Sequence, residues 1–191
     1  LLVVGAERMR DMVTDFADRY LSITPLQTSL ARIRASLEHG NVAVLASGDP
    51  LFYGIGRKLL AEFGETIVEF FPALSSIQRA CALFRLPWDD AKITSLHGRS
   101  SVHLPGILLQ QGKHLVLTDA DNSPDHIALQ LLNYLQSVGA TELVTTIQML
   151  VAEDLGLAGE RIFAGNLGDA SARRFSALNI VCLRLPPPRD L

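Results

Sequence analysis

Residues 45–54 read LASGDPLFYG and follow the apolar run NVAV. Ser47, Gly48 and Asp49 therefore stand where a buried strand is expected to end. In open α/β sheets, ligands sit outside the carboxyl ends of strands. Gly48 lets the backbone turn sharply or approach a ligand closely. Asp49 fits a helix N-cap, and Pro50 fits the first helical turn. A capped strand-to-helix turn with no ligand would use the same residues. A second turn of this kind follows in FPALSSIQRA, residues 71–80. Here a strand is expected to end at Pro72 and a helix to open at Ser75 and Ser76. Hydroxyls at one helix start are ordinarily caps, but two such turns in succession predict the rim of a pocket.

Other chemistries find less support. Gly54 and Gly56 supply two of the three glycines of a dinucleotide fingerprint, after the helix should have begun, and no GxxxxGK[ST] loop occurs. Asp89 and Asp90 are adjacent, so on a helix they do not face each other as an acid/base pair would. His39, His103, His114 and His126 share no ligand spacing, so no metal site is expected. There is no GxSxG elbow and no credible triad, so no catalytic side chain is assigned. A shaped cleft without a nucleophile suits chemistry in which a cofactor is the reactive species. His97 and Arg99 leave a strand end together, and Arg suits carboxylates, so they are candidates for binding an anionic substrate.

The elements that must position these residues alternate. LLVVG (1–5), NVAVLAS (41–47), TIVEFFPA (66–73), AKITSL (91–96), HLVLTD (114–119), ELVTTIQML (142–150) and LNIVCLRL (178–185) read as strands. Thr24-Pro25 opens a helix whose Leu26, Leu30, Ile33 and Leu37 share one face, and Gly40 closes it. Ser123-Pro124 opens another, striped by Ile127, Leu131, Tyr134, Leu135 and Val138 and ending at Gly139. The class is α/β. The runs at 142–150 and 178–185, with few helical residues between them, predict an antiparallel or mixed second half. The polar, Gly-rich stretch SLHGRSSVHLPG marks the seam. The expected domains are 1–98 and 99–186, with 187–191 a tail or linker.

The 191 residues, 48% hydrophobic and 19% charged, suffice for a real core. With a net charge of −3 and no long run of like charge, nucleic acid is not the expected partner. No run reaches the length of a membrane span and no signal peptide is visible, so a cytoplasmic location is expected. Cys81 and Cys182 are read as buried thiols of a reducing compartment.

VAVLASGDPLFYGIGRKL, FPALSSIQRACALFRLPWDDAKITSLHGR and VLTDADNSP resemble the tetrapyrrole methylase family. The likeness runs over nearly the whole chain. SGDPLFYG marks the superfamily, and PWDDAKITSLHGR points to the branch that methylates C-5 of precorrins in cobalamin biosynthesis. The resemblance implies two α/β domains with S-adenosylmethionine in the cleft between them. Carried over by motif, Ser47, Gly48, Asp49 and Phe52 hold the cofactor, largely through backbone groups. Ser75 and Ser76 form the second cofactor turn. Thr118 and Asp119 touch it from the second domain, with Gly156 and Ala177 as further contacts. Because the tetrapyrrole carries many carboxylates, Arg57, Lys58, Arg79, His97 and Arg99 are the candidate substrate-binding residues. The family opens with a strand and a GxGPG loop, whereas this sequence begins one strand later. The family also implies a homodimer and, in some members, a C-15-methylating and decarboxylating methyltransferase as a partner domain or subunit. Another methylase of the same fold, a nucleotide-binding regulatory domain and a scaffold without ligand stay open as alternatives.

Overall fold

The computed structural model describes residues 1–96, 103–110 and 112–186. The chain is α/β. It divides into two compact units, Leu1–Ser75 and Ser76–Leu191. The units divide at Ser75/Ser76, earlier in the chain than the expected 98/99 boundary, which falls outside the described residues.

The first unit is built on three short parallel strands, β1 (Leu2–Gly5), β2 (Tyr20–Ser22) and β3 (Val42–Val44), in the order β2-β1-β3. Helix α1 (Leu26–Leu37) follows β2, and α2 (Gly56–Phe63) follows β3. Val4, Leu30, Ile33 and Leu59 form the small core between sheet and helices. Pro25, rather than Thr24, occupies the N-cap of α1, and no side chain caps it.

Residues 66–73 do not form the expected strand. They contribute one backbone bond to the preceding loop, Ala73 N–H to Gly48 O at 3.3 Å. The outer edge of β3 therefore has no ladder partner among the described residues. A cavity of about 440 Å³ lies here, lined by Ile33, Val44, Leu59, Phe63, Phe70 and Gly48 among others.

The second unit carries β4 (Lys92–Ser95), β5 (Lys113–Leu117), β6 (Gln148–Glu153), β7 (Arg161–Asn166) and β8 (Asn179–Arg184). They form one sheet in the order β4-β5-β8-β6-β7. β4 and β5 are parallel, and the remaining pairs are antiparallel, so the second half is mixed as expected. α3 (Ser76–Phe84), α4 (Leu104–Leu108), α5 (Pro124–Ser137), α6 (Leu143–Thr146) and α7 (Leu167–Ser171) complete the unit. Leu131, Met149, Val151, Leu167, Val181 and Leu183 are among its fully buried core residues. The expected strand at 142–150 is in fact α6 followed by the start of β6. Ser123 is the N-cap of α5, but its hydroxyl donates to Asp125 Oδ1 at 2.8 Å and makes no bond to the helix backbone.

Cys81 and Cys182 are both buried free thiols. Burial pushes the Cys182 thiol up to about 12, so it stays protonated and packs as an apolar group. No helix among the described residues is long and apolar enough to cross a membrane.

Candidate functional site

The SGDP turn sits at the carboxyl end of β3, beyond Leu45, whose N–H reaches Val4 O at 2.7 Å. Gly48 has φ +71°, in the left-handed region. A Cβ at this position would lie 3.0 Å from Ser75 Cα and 3.2 Å from Leu74 O. The structure thus brings Ser47–Asp49 and Ser75 together, and any side chain larger than glycine's hydrogen would be strained where they touch. The N–H groups of Ser47, Gly48 and Asp49 have no acceptor among the described residues. They form a short row of backbone donors at a strand end, the equipment for holding a polar ligand without side-chain chemistry.

Asp49 does not cap a helix, because α2 begins only at Gly56. Its Oδ1 accepts the Leu51 N–H at 2.8 Å, the local bond by which Asp stabilises a turn. The chain then coils through residues 50–55, with Phe52 N–H donating to Asp49 O at 3.2 Å and Gly56 N–H to Pro50 O at 2.8 Å. Cβ atoms on Gly54 and Gly56 would fall 2.5 and 2.6 Å from Pro50 O. These glycines serve a tight turn. Phe52 is half-buried and meets Tyr53 edge to face, with ring centroids 5.1 Å apart. Ser76 is the first residue of α3, in the second unit.

In the second unit the register puts four expected residues at one end of the sheet. Leu117 pairs with Ile180, and Glu153 pairs with both Asn179 and Arg161. The carboxyl ends of β5 and β6 and the amino end of β8 therefore share that edge. Thr118 and Asp119 follow β5, Gly156 follows β6, and Ala177 precedes β8. Thr118 Oγ1 donates to Asn179 Oδ1 at 2.7 Å. Asp119 Oδ1 accepts the N–H groups of Asp121 and Asn122, at 3.1 and 2.8 Å, which closes the turn into α5. Ala177 is exposed.

Gly156 has φ +78°, and its N–H donates to Glu160 Oε2 at 2.6 Å. The same oxygen accepts from Arg79 Nε and Nη2, at 2.9 and 2.6 Å. The Gly156 N–H and the Arg79 guanidinium hold the Glu160 carboxyl below its usual range. Arg79, expected at the substrate, is thus engaged by an acid of its own unit. Arg57 and Lys58 are exposed in the first turn of α2, without an acidic partner among the described residues. His97 and Arg99 lie outside the described residues. Among the described residues no cluster of His, Cys, Asp and Glu could hold a metal ion.

Glu153, Ser176 and Asn179 were not singled out in the sequence. Glu153 is fully buried at the end of β6. Its carboxylate takes both arms of Arg161, at 2.8 and 2.9 Å, and the Ser176 N–H at 2.7 Å. Burial pushes the Glu153 pKa up, but these donors outweigh it and hold the group below the usual carboxylate range. The available signal was a polar residue at each end of an apolar run.

The profile of the Tetrapyrrole (Corrin/Porphyrin) Methylases matches residues 12–171. The chain belongs to the tetrapyrrole methylase family. It is 37% identical to the cobalt-precorrin-7 C(5)-methyltransferase of Salmonella typhimurium over 133 residues, 70% of this chain and 61% of that protein. It is 34% identical to the precorrin-6Y C(5,15)-methyltransferase (decarboxylating) of a Sinorhizobium species over 158 residues, 82% of this chain and 35% of that protein. The chain therefore spans less than two thirds of the length of these relatives. The precorrin-6Y methylase of Archaeoglobus fulgidus has the same fold, with a TM-score of 0.66 at 23% identity over 97% of this chain and 85% of that one. So does the uroporphyrin-III C-methyl transferase of Thermus thermophilus solved with S-adenyl homocysteine, with a TM-score of 0.69 at 17% identity over 96% and 84%. This member of the family shares with them the α/β fold.

Proposed function

We propose that this chain is an S-adenosylmethionine-dependent C-methyltransferase of cobalamin biosynthesis, acting on C-5 of a precorrin or cobalt-precorrin. The observation that carries the reading is the 37% identity to a protein named for that reaction. The row of N–H donors around Gly48, without an acceptor among the described residues, fits the polar cofactor that the family implies. In this reading Ser47, Gly48, Asp49, Phe52, Ser75, Ser76, Thr118, Asp119, Gly156 and Ala177 are the cofactor-binding residues.

S-adenosylmethionine, when bound, supplies a methyl group already activated on a sulfonium. The acceptor carbon of the tetrapyrrole is itself electron-rich. The protein's task is therefore to bind and align, worth up to about 7–11 kcal/mol in favourable cases. The Ser47–Asp49 backbone supplies fixed donors that need no reorganisation, because the Gly48–Ser75 contact and the Asp49–Leu51 bond already set the turn. Of the expected substrate-binding residues that are described, Arg57 and Lys58 are exposed and available to a polycarboxylate, whereas Arg79 is held by Glu160. His97 and Arg99 remain candidates for the same role.

A cytoplasmic homodimer is the assembly that this reading predicts. A C-15-methylating, decarboxylating methyltransferase is the predicted partner domain or subunit. The reaction is tested by incubating the protein with S-adenosylmethionine carrying a 13C-labelled methyl group and a precorrin or cobalt-precorrin not yet methylated at C-5. Label on C-5 of the tetrapyrrole supports the reading. Label on another carbon, or cofactor binding without transfer to either acceptor, overturns the assignment to C-5. In the same assay, changing Arg57 and Lys58 together to Ala should raise the KM for the tetrapyrrole several-fold and leave cofactor affinity unchanged.

A further inference from the structure

Three loops meet at the strand-end edge of the second sheet, and one side chain ties two of them. Asn179 opens β8. Its Oδ1 accepts from Thr118 Oγ1 at 2.7 Å, and its Nδ2 donates to the Ser176 carbonyl at 2.7 Å. Ser176 in turn donates its N–H to Glu153 at 2.7 Å and its hydroxyl to Asp154 Oδ1 at 2.6 Å. Asp154 N–H donates to Leu178 O at 2.8 Å, and Asp154 itself sits at φ +51°. The bonds run in one direction, from Thr118 through Asn179 and Ser176 to the buried carboxylate that Arg161 neutralises.

Two consequences follow from that direction. First, the amide fixes the spacing between the loop bearing Thr118 and the loop bearing Ala177, residues that belong to segments 61 positions apart at the Thr118–Asn179 bond. Second, the Thr118 proton is committed to Asn179, so the hydroxyl is left to act as an acceptor towards anything that docks on it. An Asp could still accept from Thr118, but it could not donate to Ser176 and would set a negative oxygen against a carbonyl.

We propose that Asn179 is a positioning residue for the cofactor: it makes no contact of its own, but sets the spacing and hydrogen-bond polarity of the Thr118 and Ala177 loops. The inference rests on the methyltransferase reading above. It gives Asn179 a role in affinity, beyond a role in stability. Replacing a residue that only stabilises the fold lowers the melting temperature and leaves the Kd of the folded protein unchanged. Replacing a positioning residue changes the Kd of the folded protein.

The test is a calorimetric titration with S-adenosylhomocysteine, run well below the melting temperature, on the wild type, Asn179→Ala, Asn179→Asp and Arg174→Ala. Arg174 is exposed, lies on the same loop, and ties it to Asp125 at 2.6 Å, so its removal controls for general loosening. The expected result is a Kd raised about tenfold or more in both Asn179 variants. Arg174→Ala should stay within about twofold of wild type. A Kd unchanged in the folded Asn179 variants overturns the proposal, and so does an equal loss in Arg174→Ala. If Asn179→Ala does not fold, Asn179→Asp decides. If neither folds, Asn179 is a structural residue and the proposal fails. A wild type that binds no S-adenosylhomocysteine removes the functional reading itself, a result distinct from all of these.

Discussion

Gly48 carries two constraints at one Cα. Its φ of +71° is a conformation that side chains resist, and a Cβ there would press on Ser75 Cα at 3.0 Å. Neither neighbour is the end of a flexible side chain, so the backbone itself must move. Gly48→Ala is expected to cost about 1–3 kcal/mol of stability and to weaken S-adenosylhomocysteine binding, because the two expected cofactor turns separate. Urea denaturation and calorimetry on the same samples check both effects. Asp49→Ala removes one turn-closing bond to Leu51 and leaves the backbone conformation allowed. It should cost about 1 kcal/mol, with a smaller loss of affinity than Gly48→Ala. The reverse order would mean that the Asp49 side chain, rather than the turn, meets the ligand.

The elements show which parts of this arrangement are local. Helix α5 was legible because its signals are local: Ser123 and Pro124 at its start, and Gly139, at φ +73°, just past its end. The turn at Ser47–Asp49 was legible for the same reason, as small and polar residues directly after an apolar run. Residues 66–73 were misread because an apolar, β-branched run reports burial or propensity and says nothing of pairing. This run lies against the cavity beside β3 without joining its ladder. β2 was missed because three residues are too few to show a period, and β7 because Gly165 and Asn166 blur its end. The polar wiring of the second sheet was not legible at all. Thr118 with Asn179, and Glu153 with Ser176, are brought together only by the β5-β8-β6 order, which no spacing in the sequence encodes. The glycines after the SGDP turn were dismissed as half a fingerprint, and the structure gives them a different role. Gly54→Ala and Gly56→Ala each place a Cβ against Pro50 O, at 2.5 and 2.6 Å, and should destabilise the first unit by about 1–3 kcal/mol. Urea unfolding measures this, and a neutral result at both positions would mean that the 50–56 turn relaxes freely.

At the scale of the whole molecule, two buried groups are among those that make stability respond to acid. His114 is fully buried, its Nε2 bonds to Gln110 O at 2.7 Å, and its Nδ1 has no partner among the described residues. Burial holds its pKa below the ordinary 6.5, so the unfolded chain takes up a proton first. Its effect on stability is therefore absent above about 6.5, and stability falls as the pH drops below that value. Glu153 is held below its ordinary 4.5, so its contribution is present above that value and is lost as the pH falls through the folded value. Two successive losses are expected in a pH series of urea midpoints. His114→Leu should flatten the first and leave the second, and an unchanged slope between about pH 7 and pH 5 would contradict that assignment. Ligand binding acts at the same scale, because a cofactor that binds only the folded chain raises its melting temperature. The central claim is that the strand-end turns around Gly48 form a cofactor site, and calorimetric titration with S-adenosylhomocysteine of the wild type beside Gly48→Ala tests it most directly. The account predicts saturable, equimolar binding by the wild type and a Kd raised about tenfold or more in the folded variant. A folded wild type that releases no binding heat and gains no melting temperature, or a folded variant that binds as tightly as the wild type, would contradict it.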